Sequence, residues 1–269
     1  MSKSKNRFKS QDARLTLIED TVIKPPPPNI PANAVDFAAS IGFISDAWQE
    51  TVLTSESKRI CINAARQTGK TATIALKSLH YCLTHDDALV LILSVSERQS
   101  KLLFEALLRH YANANRPLFR AETTLSLELD NNSKIIALPS SESTIRGYSA
   151  VNLLLVDEAA RVPDSLYYSS LPFIAVSDGS IIQLSTPFGE RGVFYETYTG
   201  SSPEWLRVKV TASECTRISD KFLKEQRDSM GEFWYLSEFE CQFLAPEAGL
   251  FSPDSIRSIF DNDLMEYDI

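Results

Sequence analysis

Beyond residue 32 the chain alternates two hydrophobic patterns. Residues 59–63 (RICIN), 88–94 (ALVLILS), 151–156 and 180–185 are short, almost uninterrupted apolar runs, as expected of strands buried on both faces. Residues 71–83 instead place apolar side chains at 72, 75, 76, 79, 82 and 83, and residues 97–111 place Leu102, Leu103, Ala106, Leu107 and Tyr111 at the same spacing. That spacing lines one face of a helix. Strands of the first kind alternating with helices of the second predict an α/β core, a mainly parallel central sheet flanked by helices. Between its second and third units, residues 124–129 and 134–138 flank Asp130-Asn131-Asn132-Ser133, which reads as a β-hairpin with a polar turn.

The pattern changes at both ends. Residues 1–32 are polar and then proline-rich (Pro25 to Pro28, Pro31), predicting an extended arm rather than packed structure. After Gly200 comes a strand at 205–210, then helices at 219–230 and 231–243 carrying Phe233, Trp234, Tyr235, Phe239 and Phe243. This stretch predicts a small helical lid packed on the core. The expected organisation is an arm over 1–32, a core over 33–200, a lid and linker over 201–252, and a tail over 253–269. There is no internal repeat.

Composition narrows the class. With 269 residues, 43% of them hydrophobic, the chain can bury a full core. No run of 18 apolar residues is present and the basic N-terminus leads into no apolar segment, so the reading is of a soluble intracellular protein without a membrane partner. The four cysteines form no CxxC pair and the three histidines share no metal-ligand spacing with them; the cysteines read as small buried hydrophobes. A net charge of −8 argues against coating nucleic acid by electrostatics alone, while leaving room for a local basic face.

The chemistry is concentrated at three strand ends. The first strand runs into Ala64-Ala65-Arg66-Gln67-Thr68-Gly69-Lys70-Thr71 and then a helix, the setting that gives a short phosphate-loop pattern its meaning. Backbone N–H groups there face an anion, Lys70 can reach the β- and γ-phosphates, and the Thr71 hydroxyl can ligate Mg²⁺. Ala64 replaces a first glycine that needs only to be small; Gly69 is the stricter position. The run Leu153-Leu154-Leu155-Val156 delivers Asp157 to a strand end with Glu158 next, one carboxylate to hold Mg²⁺ and one to activate water. Ser185-Thr186-Pro187 closes a further strand with two hydroxyls, which can sense the γ-phosphate or the lytic water.

In this order the motifs resemble those of the ATPase domain of large terminase subunits, the DNA-packaging motors of tailed bacteriophages and related viruses, over roughly residues 35–252. The resemblance implies a P-loop (ASCE/RecA-like) NTPase fold. Residues 36–43 leading to Trp48-Gln49 resemble the family's adenine-recognition segment, residues 66–71 its variant Walker A with an internal arginine, residues 155–160 its Walker B and catalytic glutamate, residues 185–189 its coupling motif, and residues 239–250 the segment closing the domain. By that resemblance Trp48 stacks on adenine, Gln49 reads the base edge, Ala64 to Thr71 bind the nucleotide, Thr71 and Asp157 hold Mg²⁺, and Glu158 deprotonates water. Arg66 and Arg146 are candidate arginine fingers or sensors, in their own subunit or a neighbour's. Either could instead pair with a nearby carboxylate.

The implied function is a viral or prophage-encoded motor in the host cytoplasm, hydrolysing ATP to drive double-stranded DNA into a procapsid. Implied partners are the portal protein, the small terminase subunit and further copies in a ring. Full-length relatives continue into an RNase H-like nuclease domain, which residues 253–269 are too few to build, so ATP hydrolysis without DNA cleavage is expected of this chain. Two other readings are a helicase-like nucleic-acid-dependent ATPase and an assembly subunit that binds nucleotide without turnover.

Overall fold

The computed structural model describes residues 29–139 and 147–245; Arg146, the arm before residue 29 and residues 246–269 lie outside them. Helices α1 (Ala34–Ser40) and α2 (Ala47–Thr54) precede β1 (Arg59–Ala64), α3 (Lys70–Thr84), β2 (Leu89–Ser94) and α4 (Glu97–Asn113). Next come β3 (Phe119–Glu122), β4 (Ser126–Leu129), β5 (Lys134–Pro139), β6 (Leu153–Asp157), α5 (Asp164–Ser170) and β7 (Ser180–Ser185). The chain continues through α6 (Gly192–Thr199), β8 (Leu206–Val210), α7 (Asp220–Met230) and α8 (Glu232–Glu238).

Among the described residues the eight strands share one sheet in the order β3-β4-β5-β2-β6-β7-β1-β8. The part from β5 to β8 is parallel throughout, and the hairpin of β4 and β5, with β3 beyond it, forms an antiparallel edge. Continuous apolar strands therefore sit where both faces are covered, as their lack of alternation requires. One core cluster joins α1 to α4 to one face of the sheet around Ile62, Leu79, Ile92 and Phe104; a second joins α5 and α6 to the other around Leu91, Leu154, Tyr167 and Phe194. The cysteines are buried, and burial pushes the Cys61 thiol up to about 12.

Local chemistry sets the helix starts. The Asn33 side chain accepts from the N–H groups of Val35 and Asp36 at α1, and Ser96 accepts from Gln99 at α4. At α3 the cap is Gly69, left-handed at φ 93°. No helix among the described residues is long and apolar enough to cross a membrane.

Two features differ from the sequence expectation. The sheet passes the boundary drawn at residue 200: Leu206–Val210 pairs in parallel with β1 and is an edge of the core sheet, so the helical segment begins only after it. The expected helix over 231–243 ends at Glu238, and Cys241 takes a positive φ of 57° beyond it.

Phe104 on α4 is 1% exposed within the first cluster. Phe104→Ala should destabilise the domain by about 3–5 kcal/mol, read as a lowered midpoint of urea unfolding.

Candidate functional site

The register of the parallel strands brings three strand ends together. Asn63 on β1 pairs with Ser185 on β7, and Leu184 on β7 pairs with Asp157 on β6. The residues just past these pairs, Ala64 to Thr71, Thr186 and Glu158, therefore share the carboxyl edge of the sheet, where ligands of open α/β folds bind.

The loop between β1 and α3 is held from below. Ala64 and Ala65 are fully buried, the Ala65 N–H donates to the Val210 carbonyl (2.8 Å), and the Thr68 hydroxyl donates to the Ala65 carbonyl (2.8 Å). Gln67 (φ 63°) and Gly69 (φ 93°) both adopt left-handed backbone. The space at 69 is also tight: a Cβ there would stand 3.0 Å from Gln49 Nε2 and 3.3 Å from Arg217 Nη2. Lys70 Nζ donates to the carbonyls of Ala64 and Ala65 (2.8 Å each) and to Thr186 Oγ1 (3.3 Å). Burial lowers the pKa of its ammonium, and the carboxylates of Glu158 and Asp157 oppose that shift. Thr71 is half-buried in the first turn of α3.

Across the site Asp157 is buried and accepts from the Glu158 N–H (3.1 Å). Burial, reinforced by the charge of Glu158, pushes its carboxyl up from 3.8 to about 7, against the opposing pull of Lys70. Glu158 itself is left-handed (φ 50°, ψ 43°), a conformation costing a non-glycine residue on the order of 1 kcal/mol. The turn it makes starts the short helical stretch Ala159–Arg161 and places its carboxylate on Ser185, whose hydroxyl donates to Oε2 (3.2 Å). Adjacent residues at the end of β7 thus touch the two sides of the site: Ser185, its last residue, the Glu158 carboxylate, and Thr186, just past it, the Lys70 ammonium.

The donor set suits Mg²⁺. It offers two oxygen donors, a hydroxyl on Thr71 and a buried carboxylate on Asp157 that feels the charge of Lys70; among the described residues no group of three His, Cys, Asp or Glu residues could hold a metal alone. Magnesium is held in this manner, by few protein oxygens and the substrate's phosphates.

Other expected site residues are placed differently. Arg66 does not point across the loop: Nε and Nη2 make a two-pronged contact with Glu238 at the end of α8 (2.5 and 3.1 Å), and its N–H donates to the Glu238 carbonyl (3.2 Å). Trp48, expected to stack on adenine, packs half-buried against the first core cluster with its indole N–H buried. Gln49 is 1% exposed, its Oε1 accepting from the Asp46 N–H and its Nε2 donating to Thr73 Oγ1 (2.8 Å each), so the amide links the start of α2 to α3. Arg217 was missed. It lies between β8 and α7 in no recognisable motif, yet contacts the Thr68 carbonyl of the phosphate loop (2.9 Å); only folding brings it there.

Comparison with known proteins bears on the family and the fold. Residues 61–258 match the family described as terminase large subunit, T4-like-virus type, N-terminal. The chain is similar to the large terminase ATPase domain of Thermus phage P74-26, with TM-score 0.69 and 18% identity over 78% of this chain and 98% of that one. It is also similar to the large terminase of a thermophilic bacteriophage solved with ADP, with TM-score 0.63 and 15% identity over 74% of this chain and 53% of that one. For the bacteriophage HK97 large terminase the values are 0.61 and 14%, over 75% and 51% of the two chains. This chain therefore spans about half the length of those two large terminases. These likenesses show a shared fold. No curated protein matches the chain in sequence.

The Asp157 environment gives a signed pH dependence. A folded pKa of about 7 against an ordinary 3.8 means the folded protein holds the proton more tightly than the unfolded chain. This contribution to stability is complete below the ordinary value and is lost as pH rises through the folded one. Between pH 5 and pH 8, without nucleotide or divalent metal, the parent chain should lose on the order of 1–3 kcal/mol relative to Asp157→Asn in urea unfolding.

Proposed function

The chain belongs to the T4-like-virus-type terminase large subunits, and on that premise we propose that the site hydrolyses ATP with Mg²⁺ to drive double-stranded DNA into a procapsid. One observation carries this reading: the last residue of β7 and the one after it contact the base and the phosphate-binding lysine, Ser185 on Glu158 and Thr186 on Lys70. The same fold has been solved with ADP and with ATP-γ-S in the large terminase of a thermophilic bacteriophage, which supports a nucleotide as the ligand.

The chemistry follows from the residues. Lys70 exchanges its hydrogen bonds to the Ala64 and Ala65 carbonyls for phosphate oxygens, and the anion supplies the charge that its burial otherwise lacks. Loop N–H groups and the start of α3 receive the same phosphates. Thr71 and Asp157 would hold Mg²⁺, which when bound neutralises charge on the β- and γ-phosphates. Glu158, oriented by the Ser185 hydroxyl, takes a proton from the attacking water, so the new P–O bond forms as the bond to the departing ADP breaks.

Transmission runs through the residues after β7. Thr186 touches Lys70, and the carbonyl of the next residue, Pro187, accepts from Ser237 Oγ on α8 (3.5 Å). Glu238, one residue further on α8, holds Arg66. Loss of the γ-phosphate is therefore felt by α8 from two sides, the loop arginine and the strand end. In the whole motor the DNA, portal protein, small subunit and neighbouring copies in a ring would receive this movement, in the host cytoplasm. The net charge of −8 suits a motor that slides on DNA without binding it tightly.

Glu158→Gln should lower the rate of phosphate release by about 10²–10⁴-fold while ATP affinity stays within a few-fold, because the amide keeps the shape and loses the base. Single-turnover release together with equilibrium ATP binding measures both. A variant that hydrolyses ATP at the parent rate would exclude Glu158 as the base.

A further inference from the structure

Arg217 stands outside the machinery described so far, and its contacts form a closed circuit around the phosphate loop. Its Nη1 and Nη2 donate to the two carboxylate oxygens of Asp46 (3.1 and 2.7 Å), and Nη2 also donates to the Thr68 carbonyl (2.9 Å). The Asp46 N–H donates to Gln49 Oε1, Gln49 Nε2 donates to Thr73 Oγ1 (2.8 Å each), and Thr73 Oγ1 donates to the Gly69 carbonyl (3.0 Å). The circuit thus begins and ends on consecutive peptide groups of the loop, at Thr68 and Gly69.

The direction of those contacts matters. In a planar trans peptide the C=O and the following N–H point opposite ways. Donors that draw the Thr68 and Gly69 carbonyls outward therefore aim the N–H groups of Gly69 and Lys70 to the other side, where the loop receives an anion. Gly69 sits at φ 93°, and without an outside partner nothing in glycine itself would keep that peptide in one orientation.

We propose that Arg217 is a positioning residue for the polyphosphate of the nucleotide: from the segment joining β8 to α7 it pins the Thr68 carbonyl and so holds the Gly69 N–H toward the phosphates. This rests on the reading of the loop as an ATP site and deepens it. Because Arg217 precedes α7 by only a few residues, the helical segment acts on phosphate affinity by a route separate from the pair of Arg66 with Glu238. Asp46 is the anchor; its bidentate grip fixes the plane of the guanidinium.

The test uses two probes on the whole chain, ATP and inorganic tripolyphosphate, the second having no base or ribose. Arg217→Ala should weaken both by the same factor, about tenfold, with KM for ATP rising by that factor and kcat changing much less. Asp46→Asn, which keeps the shape at the start of α2, should shift both probes in the same direction by a smaller factor. Arg217→Lys should recover part of the loss, since one ammonium still reaches the Thr68 carbonyl. Unchanged affinity in Arg217→Ala overturns the proposal, as does loss for ATP alone with tripolyphosphate unaffected, which would make Arg217 a base or ribose contact. Should Arg217→Ala fail to fold, Asp46→Asn carries the same two comparisons. Failure of the parent chain to bind either probe would instead remove the ATP-site reading, and this inference with it.

Discussion

The level at which β1, β7 and β6 end governs the rest of the molecule. Parallel pairing places Ser185 beside Asn63 on one side and one residue past the partner of Asp157 on the other. From that register alone the loop after β1 and the carboxylates after β6 come within reach of a single strand lying between them. A slip of one residue in β7 would turn Ser185 and Thr186 to opposite faces, and both contacts would be lost together. The strands can hold this register because they are buried on both sides by helices, which leaves each apolar run only one pairing that covers it fully.

Within that frame the site carries stress in two forms. Lys70 and Asp157 are both buried, and burial disfavours the charge of each, lowering the pKa of one and raising that of the other. Their mutual attraction offsets this only in part. Under the proposed function, a polyphosphate with its cation would bring charges that each of them lacks, and binding would relieve an electrostatic cost already present in the fold. The second form lies in the backbone, at the left-handed Gln67 and Glu158. Both positions turn the chain abruptly after a strand, and the turn is what points a functional group at the sheet edge.

Much of this was legible in the sequence, for a physical reason. The strands of the parallel core and the helices α3 and α4 announce themselves by local periodicity, and the strand at 180–185 matches its observed limits. Lys70, Thr71, Asp157, Glu158 and Ser185 lie at the ends of such runs, so their convergence followed from topology. What escaped depends on contacts between residues far apart in the chain. Nothing near Arg66 indicates Glu238, and nothing near Arg217 indicates Asp46 or Thr68. Trp48, to which the family resemblance assigns stacking on adenine, packs half-buried on α2 against the first core cluster. The strand at 206–210 looked like the start of a new subdomain because the pattern changes before it, whereas pairing with β1 makes it part of the sheet.

Under the proposed function, the end of β7 conveys the state of the nucleotide to α8 through Thr186 and Pro187. Hydrogen–deuterium exchange over residues 232–238, with and without ATP-γ-S, in the parent chain and in Thr186→Ala, tests it most directly. The nucleotide should alter exchange of α8 in the parent, and the alteration should be largely lost in the variant although the nucleotide still binds. An equal alteration in both chains, or none in the parent at saturating nucleotide, would contradict it.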